Sequence, residues 1–249
     1  MKKTVIMVAG IVTSLILTLN STSFSQVKLA GSVSLAKEIE AKKAAIETQA
    51  GCKMEIIPSQ TGKGMLQMAS GEANVAMIGG PVEAAVDAAN SEKAGAVQSS
   101  ELVTAIIKTT NLAFAVNPSA KVTKLSKDQI VGIFTGKIKN WKEVGGADLP
   151  IKPVIAKKNN GWRLTMEYGP LKGMSFASDA LVREEPREIP QIVGQMPGGI
   201  SYFASSMLND KVVKVETELQ VPFEMSLVTK GQPSGDAAKV ISAVKDALK

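Results

Sequence analysis

Short apolar runs bounded by glycine and small polar residues alternate with amphipathic stretches through the first third of the chain. The runs at 27–30, 53–58 and 73–80 are separated by two stretches of helical periodicity. A strand, a loop, a helix and another strand in this order are typical of right-handed crossovers between parallel strands. The order therefore predicts an α/β fold rather than a helical bundle or a β-sandwich.

The N-terminus carries the features of an export signal. Lys2 and Lys3 precede an apolar run at 5–19, and a polar stretch ending in small residues follows it. The run is short for a membrane-spanning helix, and no stop-transfer pattern follows it. Residues 1–25 are therefore predicted to be a signal peptide cleaved after Ser25, which places the mature chain in the periplasm.

The composition excludes several kinds of chemistry. The sequence has no histidine and Cys52 is its only cysteine, so the usual ligands of zinc and other transition metals are missing. The same counts rule out an intrachain disulfide and a histidine general base. We therefore expect no metal site, no cofactor and no catalytic residue, and we expect Cys52 to be packed in the core.

The charge balance argues against a nucleic-acid partner. The net charge of +6 falls by the two charges of Lys2 and Lys3 to +4 in the mature chain, where lysines are interspersed with acidic residues. Only two Trp, two Tyr and six Phe are available to stack on bases. We expect no nucleic acid, at most a mild preference for anions, and a monomer.

One internal segment has the local signals of a well-capped helix. Ser126 and Gln129 have the spacing of a capping box, and Leu125 and Ile130 have the spacing of a hydrophobic staple. The stretch that follows, IFTGKIKNW, predicts a helix stop and an ordered turn.

That segment lies within residues 111–155, NLAFAVNPSAKVTKLSKDQIVGIFTGKIKNWKEVGGADLPIKPVI, which resemble the central region of phosphate-binding proteins of ABC transporters. PGGISYFA and SLVTKGQPSG resemble later segments of the same family. The resemblance implies a two-lobed periplasmic binding protein fold, type II-like, in which each lobe is a mostly parallel sheet flanked by helices. It implies lobe 1 at 26–111 plus 222–249 and lobe 2 at 112–221. It also implies that Phe134 and Trp141 belong to the core.

The resemblance further implies a function and a ligand. A solute-binding protein of this kind captures phosphate or a related oxyanion in the cleft between its lobes and presents it to an ABC permease. It is not an enzyme. A ligand that bridges both lobes favours a closed state, which a transporter can sense.

Two glycine- and serine-containing loops are candidates for binding the anion. Helix N-termini that follow such loops offer converging N–H and hydroxyl donors. The loop AGSVS supplies Ser32 and Ser34, which are equally explained as helix caps, and PSQTGKG supplies Ser59, Thr61 and Gly62.

A third loop departs from the family pattern. Phosphate-binding relatives have an arginine followed by Asp-Gly-Ser-Gly-Thr, whereas this chain has Lys157, Asn159 and Gly161 in a shorter loop. Lysine offers a point charge instead of a planar fork, and Arg163 is a candidate to compensate. We expect the loops at Ser32, Ser59 and Lys157 to face one cleft.

A second departure concerns ligand selectivity. Gly80 stands where the family has the aspartate of Ala-Ser-Asp, a carboxylate that would accept the proton of hydrogen phosphate and repel sulfate. The change weakens the case for selective phosphate binding without removing the case for anion binding.

Two other functions remain open from the sequence. The altered loop and the missing aspartate favour a degenerate binding fold that acts as a periplasmic interaction or sensory protein. Ser34 and Lys37 fit the Ser-x-x-Lys pattern of some serine hydrolases, but neither of the partner motifs of those enzymes is present.

Overall fold

The computed structural model describes residues 26–249. The predicted signal peptide lies outside the described residues and stays a prediction. Within residues 26–249, none of the helices has the length and apolar character needed to cross a bilayer.

The first part of the chain alternates strands and helices in the predicted order. Its elements are β1 (Val27–Ser32), α1 (Val33–Glu40), α2 (Lys43–Ala50), β2 (Met54–Ser59), α3 (Thr61–Ala69), β3 (Val75–Gly79) and α4 (Val82–Glu92). The first stretch of helical periodicity predicts a single helix that ends at Gly51, and this prediction is wrong. The chain turns between α1 and α2, where the Lys42 N–H donates to the Ile39 carbonyl oxygen three residues back. Ile39 of α1 and Ile46 of α2 are nevertheless buried in the same hydrophobic cluster.

Two long strands cross between the halves of the molecule. β4 (Leu102–Val116) and β9 (Pro222–Lys230) are antiparallel and pair from Leu102 to Asn111. From Leu112 onwards β4 pairs instead with β7 (Gly199–Ala204). The partner change divides the described sheet into two parts that share β4.

The second half repeats the layering. Its elements are α5 (Lys127–Phe134), β5 (Lys152–Ala156), α6 (Gly161–Tyr168), β6 (Leu181–Arg183), α7 (Ile189–Gln195), β7 and β8 (Val213–Lys214), and α8 (Gly235–Ala247) returns to the first half. The strand order is β2-β1-β3-β9-β4-β7-β5-β6, with β8 also paired to β4. The fold class is confirmed. Parallel pairs join β1 to β2 and β3, and β5 to β6 and β7, while β4 and β9 add antiparallel pairs.

The core of the second half includes the segment singled out by sequence. Ser126 and Gln129 form both hydrogen bonds of a capping box. Phe134 and Trp141 are fully buried, and the Trp141 indole N–H donates to the Gly198 carbonyl oxygen at 3.0 Å. Cys52 is buried in the core of the first half. The expectation that these side chains pack in the core is confirmed.

One carboxylate ties α2 to β2 and gives a pH-dependent prediction. Glu47 accepts hydrogen bonds from the Lys53 ammonium at 2.8 Å and from the Met54 N–H at 3.0 Å. The Lys53 bond, followed by the Met54 bond, holds the pKa of Glu47 below its usual value. The ionised form therefore stabilises the fold above the unfolded pKa, and this contribution is lost as the pH falls through the lowered folded pKa.

We expect Glu47→Gln to reduce the free energy of unfolding by about 1 kcal/mol at pH 7. The difference from wild type should shrink as the pH falls through the lowered folded pKa of Glu47, because the wild-type carboxylate then also becomes protonated. Urea unfolding at several pH values measures this, with the exposed Glu72 changed to Gln as the control. A deficit that persists unchanged at low pH would contradict the assignment.

Candidate functional site

Two predicted serines lie side by side where neighbouring strands end. Ser32 of β1 and Ser59 of β2 are direct partners in the parallel pairing, which puts their backbones about 4.8 Å apart. Ser32 is buried and its Oγ caps α1, accepting from the Leu35 N–H at 3.5 Å. Ser59 is half-buried, and its hydroxyl donates to the Gln60 carbonyl oxygen at 3.2 Å. At its carboxyl end each strand leads into the N-terminus of a helix, β1 into α1 and β2 into α3.

The other predicted residues of these two loops differ in exposure. Thr61 is buried as the first residue of α3, whereas Ser34 is exposed in the first turn of α1. Gly62 faces α4, because a methyl group built on it would lie 2.7 Å from the Ala88 Cβ. Close packing between α3 and α4 is thus a sufficient reason for glycine at position 62.

The loop after β3 joins this group of residues. A methyl group on Gly79 would lie 2.8 Å from Ser32 Oγ, so the Gly79 backbone borders that hydroxyl. Gly80 has a φ of +103°, a conformation that glycine adopts without strain, and its N–H donates to the Glu224 carbonyl oxygen at 2.8 Å. In this conformation the Gly80 N–H is already engaged within the protein.

The N-terminus of α6 meets the first half of the molecule at the same place. Asn160 caps this helix by accepting from the Trp162 N–H at 3.0 Å. A methyl group on Gly161 would overlap the Gly79 carbonyl oxygen and would lie 3.0 Å from the Phe223 ring. The backbones of Gly161 and Gly79 are therefore in direct contact.

Two cationic side chains at the third loop, Lys157 and Arg163, have partners nearby. The Lys157 ammonium lies 3.1 Å from a Glu184 carboxylate oxygen, and Asn159 is exposed with a φ of +64°. The Arg163 Nε donates to Glu167 at 2.8 Å, and its guanidinium lies 5.2 Å from the centre of the Phe176 ring. Both charges are therefore balanced by a carboxylate of the second half.

The structure thus brings Ser32, Ser59, Gly80 and Gly161 into one neighbourhood and turns the Lys157 ammonium towards Glu184. Sequence reasoning missed Phe223 and Glu224, which border this neighbourhood from β9. Their position in a strand gave no signal, because the contact depends on how β9 crosses the sheet. That the three loops share one ligand cleft remains a prediction.

Two cavities of the described chain lie elsewhere. One of about 380 Å³ is in the second half, where Arg163, Glu167, Phe176 and Val182 are among its lining residues. Another of about 450 Å³ lies where Glu101 and Leu102 approach Lys230. None of the nine predicted binding residues lines either cavity. Within residues 26–249, no group of three His, Cys, Asp or Glu side chains is placed to hold a metal ion.

Two α/β parts joined by crossing strands, with helix N-termini from both parts meeting at their junction, define a two-lobed binding-protein fold. The chain belongs to the PBP superfamily, because a family model described as "PBP superfamily domain" matches residues 19–247. The predicted two-lobed fold and the membership of the binding-protein superfamily are therefore confirmed.

The chain is also similar to individual curated proteins. The chain is 36% identical over 157 residues to the phosphate-binding protein PstS of Bacillus subtilis (strain 168), an alignment covering 61% of this chain and 52% of the relative. The chain thus spans about half the length of that curated relative.

Solved structures agree in fold. An ABC-type phosphate transport receptor from Vibrio cholerae superposes with a TM-score of 0.72 at 20% identity, covering 88% of this chain and 93% of that one. A putative phosphate ABC transporter substrate-binding protein from Clostridium perfringens gives 0.68 at 21% identity, covering 88% and 92%.

Proposed function

We propose that this chain is a solute-binding protein that captures phosphate or a related oxyanion between its lobes for an ABC transporter. The observation that carries the proposal is the pairing of Ser32 with Ser59 at the ends of adjacent parallel strands, opposite the N-terminus of α6. The similarity to phosphate-binding proteins supports the choice of ligand.

The physical basis is a convergence of donors. The N-termini of α1 and α3 point to one edge of the sheet, because β1 and β2 are parallel and each leads straight into a helix. Helix N-termini carry unpaired N–H groups and a positive end of the dipole, both of which favour an anion. The proposed binding residues remain Ser32, Ser34, Ser59, Thr61, Gly62, Gly80, Lys157, Asn159 and Gly161.

The proposal also includes the boundaries of the two lobes and the location of the protein in the periplasm. The change of β4 partner between Asn111 and Leu112 supports a division into 26–111 plus 222–249 and 112–221. The chain acts as an exported periplasmic monomer that delivers its ligand to a permease. The proposal assigns it no catalytic role, and the exposed position of Lys37 on α1 gives no support to a Ser-x-x-Lys hydrolase.

A degenerate binding protein with an interaction or sensory role is the second candidate. Two observations favour it: the direct contact between Gly161 and Gly79, and the pairing of Lys157 with Glu184. Both reduce the donors and the space offered to an anion in this conformation.

Titration calorimetry of residues 26–249 against phosphate, sulfate and a phosphonate tests the proposal. We expect phosphate binding, and sulfate binding of similar strength, because Gly80 supplies no carboxylate to reject sulfate. Absence of heat and of a thermal shift with every anion would favour the second candidate.

Ser59→Ala is expected to weaken phosphate binding about tenfold, the loss of one hydrogen bond to a charged group. Ser59 is the better test than Ser32, because Ser32 also caps α1 and its loss would destabilise that helix. Calorimetry of the variant measures the change, and Ser100→Ala, at an exposed position, is the matched control. Lys157→Ala should weaken phosphate binding by only about two- to threefold, because the ammonium is partly exposed and already paired with Glu184. Equal affinities for Ser59→Ala and wild type would exclude Ser59 from the site.

A further inference from the structure

An open cavity of about 380 Å³ lies in the second half of the molecule, between α6 and the segment 174–182. Its lining residues include none of the nine residues proposed to bind the anion. A cavity of this size is within the range of small-molecule sites, which is roughly 300–1,000 Å³. A ligand held here would therefore make contacts different from those proposed for the anion.

Two oppositely charged side chains of α6 line this cavity. The Arg163 Nε donates to Glu167 Oε1 at 2.8 Å, and the Arg163 Nη1 donates to the Ala156 carbonyl oxygen at 3.4 Å. The Arg163 side chain is only 17% exposed and the Glu167 side chain 28%. A guanidinium has more N–H donors than these two bonds use, and a carboxylate has a second oxygen. The pair can therefore donate to one charged group and accept from another while its own bond persists.

Other walls of the cavity are apolar. The Arg163 guanidinium lies over the Phe176 ring, 5.2 Å from its centre. Of the five large hydrophobic side chains that are exposed in the described part of the chain, Met174 and Val182 line the cavity. A third, Leu181, is adjacent to Val182 in β6. Exposed apolar side chains that are grouped around a cavity are typical of binding sites, so the ligand should have an apolar part.

The two charges of the pair indicate the class of ligand. A simple carboxylate would be attracted by Arg163 and repelled by Glu167, and for a simple amine the two effects are reversed. A zwitterion offers one charged group to each side chain, and each such hydrogen bond is of the stronger, charge-assisted kind. In an α-amino acid both groups are attached to one carbon atom, which suits two side chains that are 2.8 Å apart.

We propose that this cavity binds a free α-amino acid with an apolar side chain. Its carboxylate accepts from Arg163, its ammonium group donates to Glu167, and its side chain packs against Phe176 and Met174. The inference goes beyond the proposed function and does not depend on it. Glycine should bind more weakly than leucine, because glycine has no side chain to cover the apolar wall.

Calorimetry with L-leucine on residues 26–249 tests the inference. We expect saturable binding of L-leucine. The acid 4-methylpentanoate has the same carbon skeleton without the ammonium group, and it should bind at least about tenfold more weakly. Glu167→Gln should weaken leucine binding about tenfold, because it removes the charge that holds the ammonium group. The same variant should narrow the difference between leucine and 4-methylpentanoate, because it no longer repels a simple carboxylate.

Ser178→Trp tests the position of the ligand. Ser178 is exposed and lines the cavity, so an indole at this position should block the cavity and abolish leucine binding. Ser99→Trp, at an exposed position of the first half, is the matched control and should leave the leucine affinity unchanged. Circular dichroism checks that both variants are folded.

Three results would overturn the inference. The first is absence of heat with L-leucine, L-methionine and L-phenylalanine. The second is an equal leucine affinity for the wild type, Glu167→Gln and Ser178→Trp. The third is displacement of leucine by excess inorganic phosphate, which would place leucine in the anion site instead of this cavity.

Discussion

Trp141→Ala is expected to lower the free energy of unfolding by about 4 kcal/mol. Trp141 is fully buried in the core of the second half, so its removal leaves a large cavity among tightly packed neighbours. The variant also leaves the Gly198 carbonyl oxygen without its 3.0 Å hydrogen bond from the indole. An effect of this size is a large part of the stability of an ordinary domain.

Urea unfolding followed by circular dichroism measures the loss. Trp141→Phe is the comparison variant, since it keeps an aromatic ring but removes the indole N–H and part of the ring volume, and it should cost about 2 kcal/mol. If Trp141→Ala cost no more than Trp141→Phe, cavity formation would not be the source of the effect.

Gly31→Ala is expected to cost about 3 kcal/mol or more and to disturb the anion site. Gly31 has a φ of +129°, a conformation that residues with a side chain rarely adopt. Its added methyl group would also overlap the Met77 carbonyl oxygen on β3. Relief of that overlap requires β1 and β3 to separate next to Ser32, so phosphate binding should weaken as well.

Gly51→Ala is the control that separates the cost of a positive φ from the cost of the overlap with Met77. Gly51 also has a positive φ, of +68°, but a methyl group there would have nothing within 4 Å. This control should cost only about 1–2 kcal/mol, the penalty for a left-handed conformation. Thermal unfolding of both variants provides the comparison, and equal losses would show that overlap with Met77 contributes nothing.

Local signals in the sequence were reliable where the interacting residues are close along the chain. Ser126 and Gln129 are three residues apart, so their capping box needed no knowledge of the rest of the fold. The crossover pattern likewise predicted that β1 and β2 run parallel, which places Ser32 beside Ser59. The turn between α1 and α2 was missed, because Leu35, Ile39 and Ile46 would share one face of an unbroken helix as well.

The candidate site was predictable only as a set of loops. Glycine and serine at strand ends indicated helix N-termini near Ser32, Ser59 and Gly161, and the helices begin there. The residues around Lys157 did not indicate the direction of its side chain. Its partner Glu184 comes much later in the chain, after α6 and directly after β6. Side-chain direction depends on which charges the folded chain brings close together.

The sequence by itself determined the α/β class, the caps, the core positions of Phe134 and Trp141 and the family, because periodicity, capping and short motifs act over a few residues. Only the tertiary structure decided that Gly161 rests on Gly79 and that Tyr168 reaches Asp87, 81 residues away. Such contacts depend on how the crossing strands β4 and β9 position the two lobes relative to each other. Patterns of neighbouring residues in the sequence do not predict that geometry.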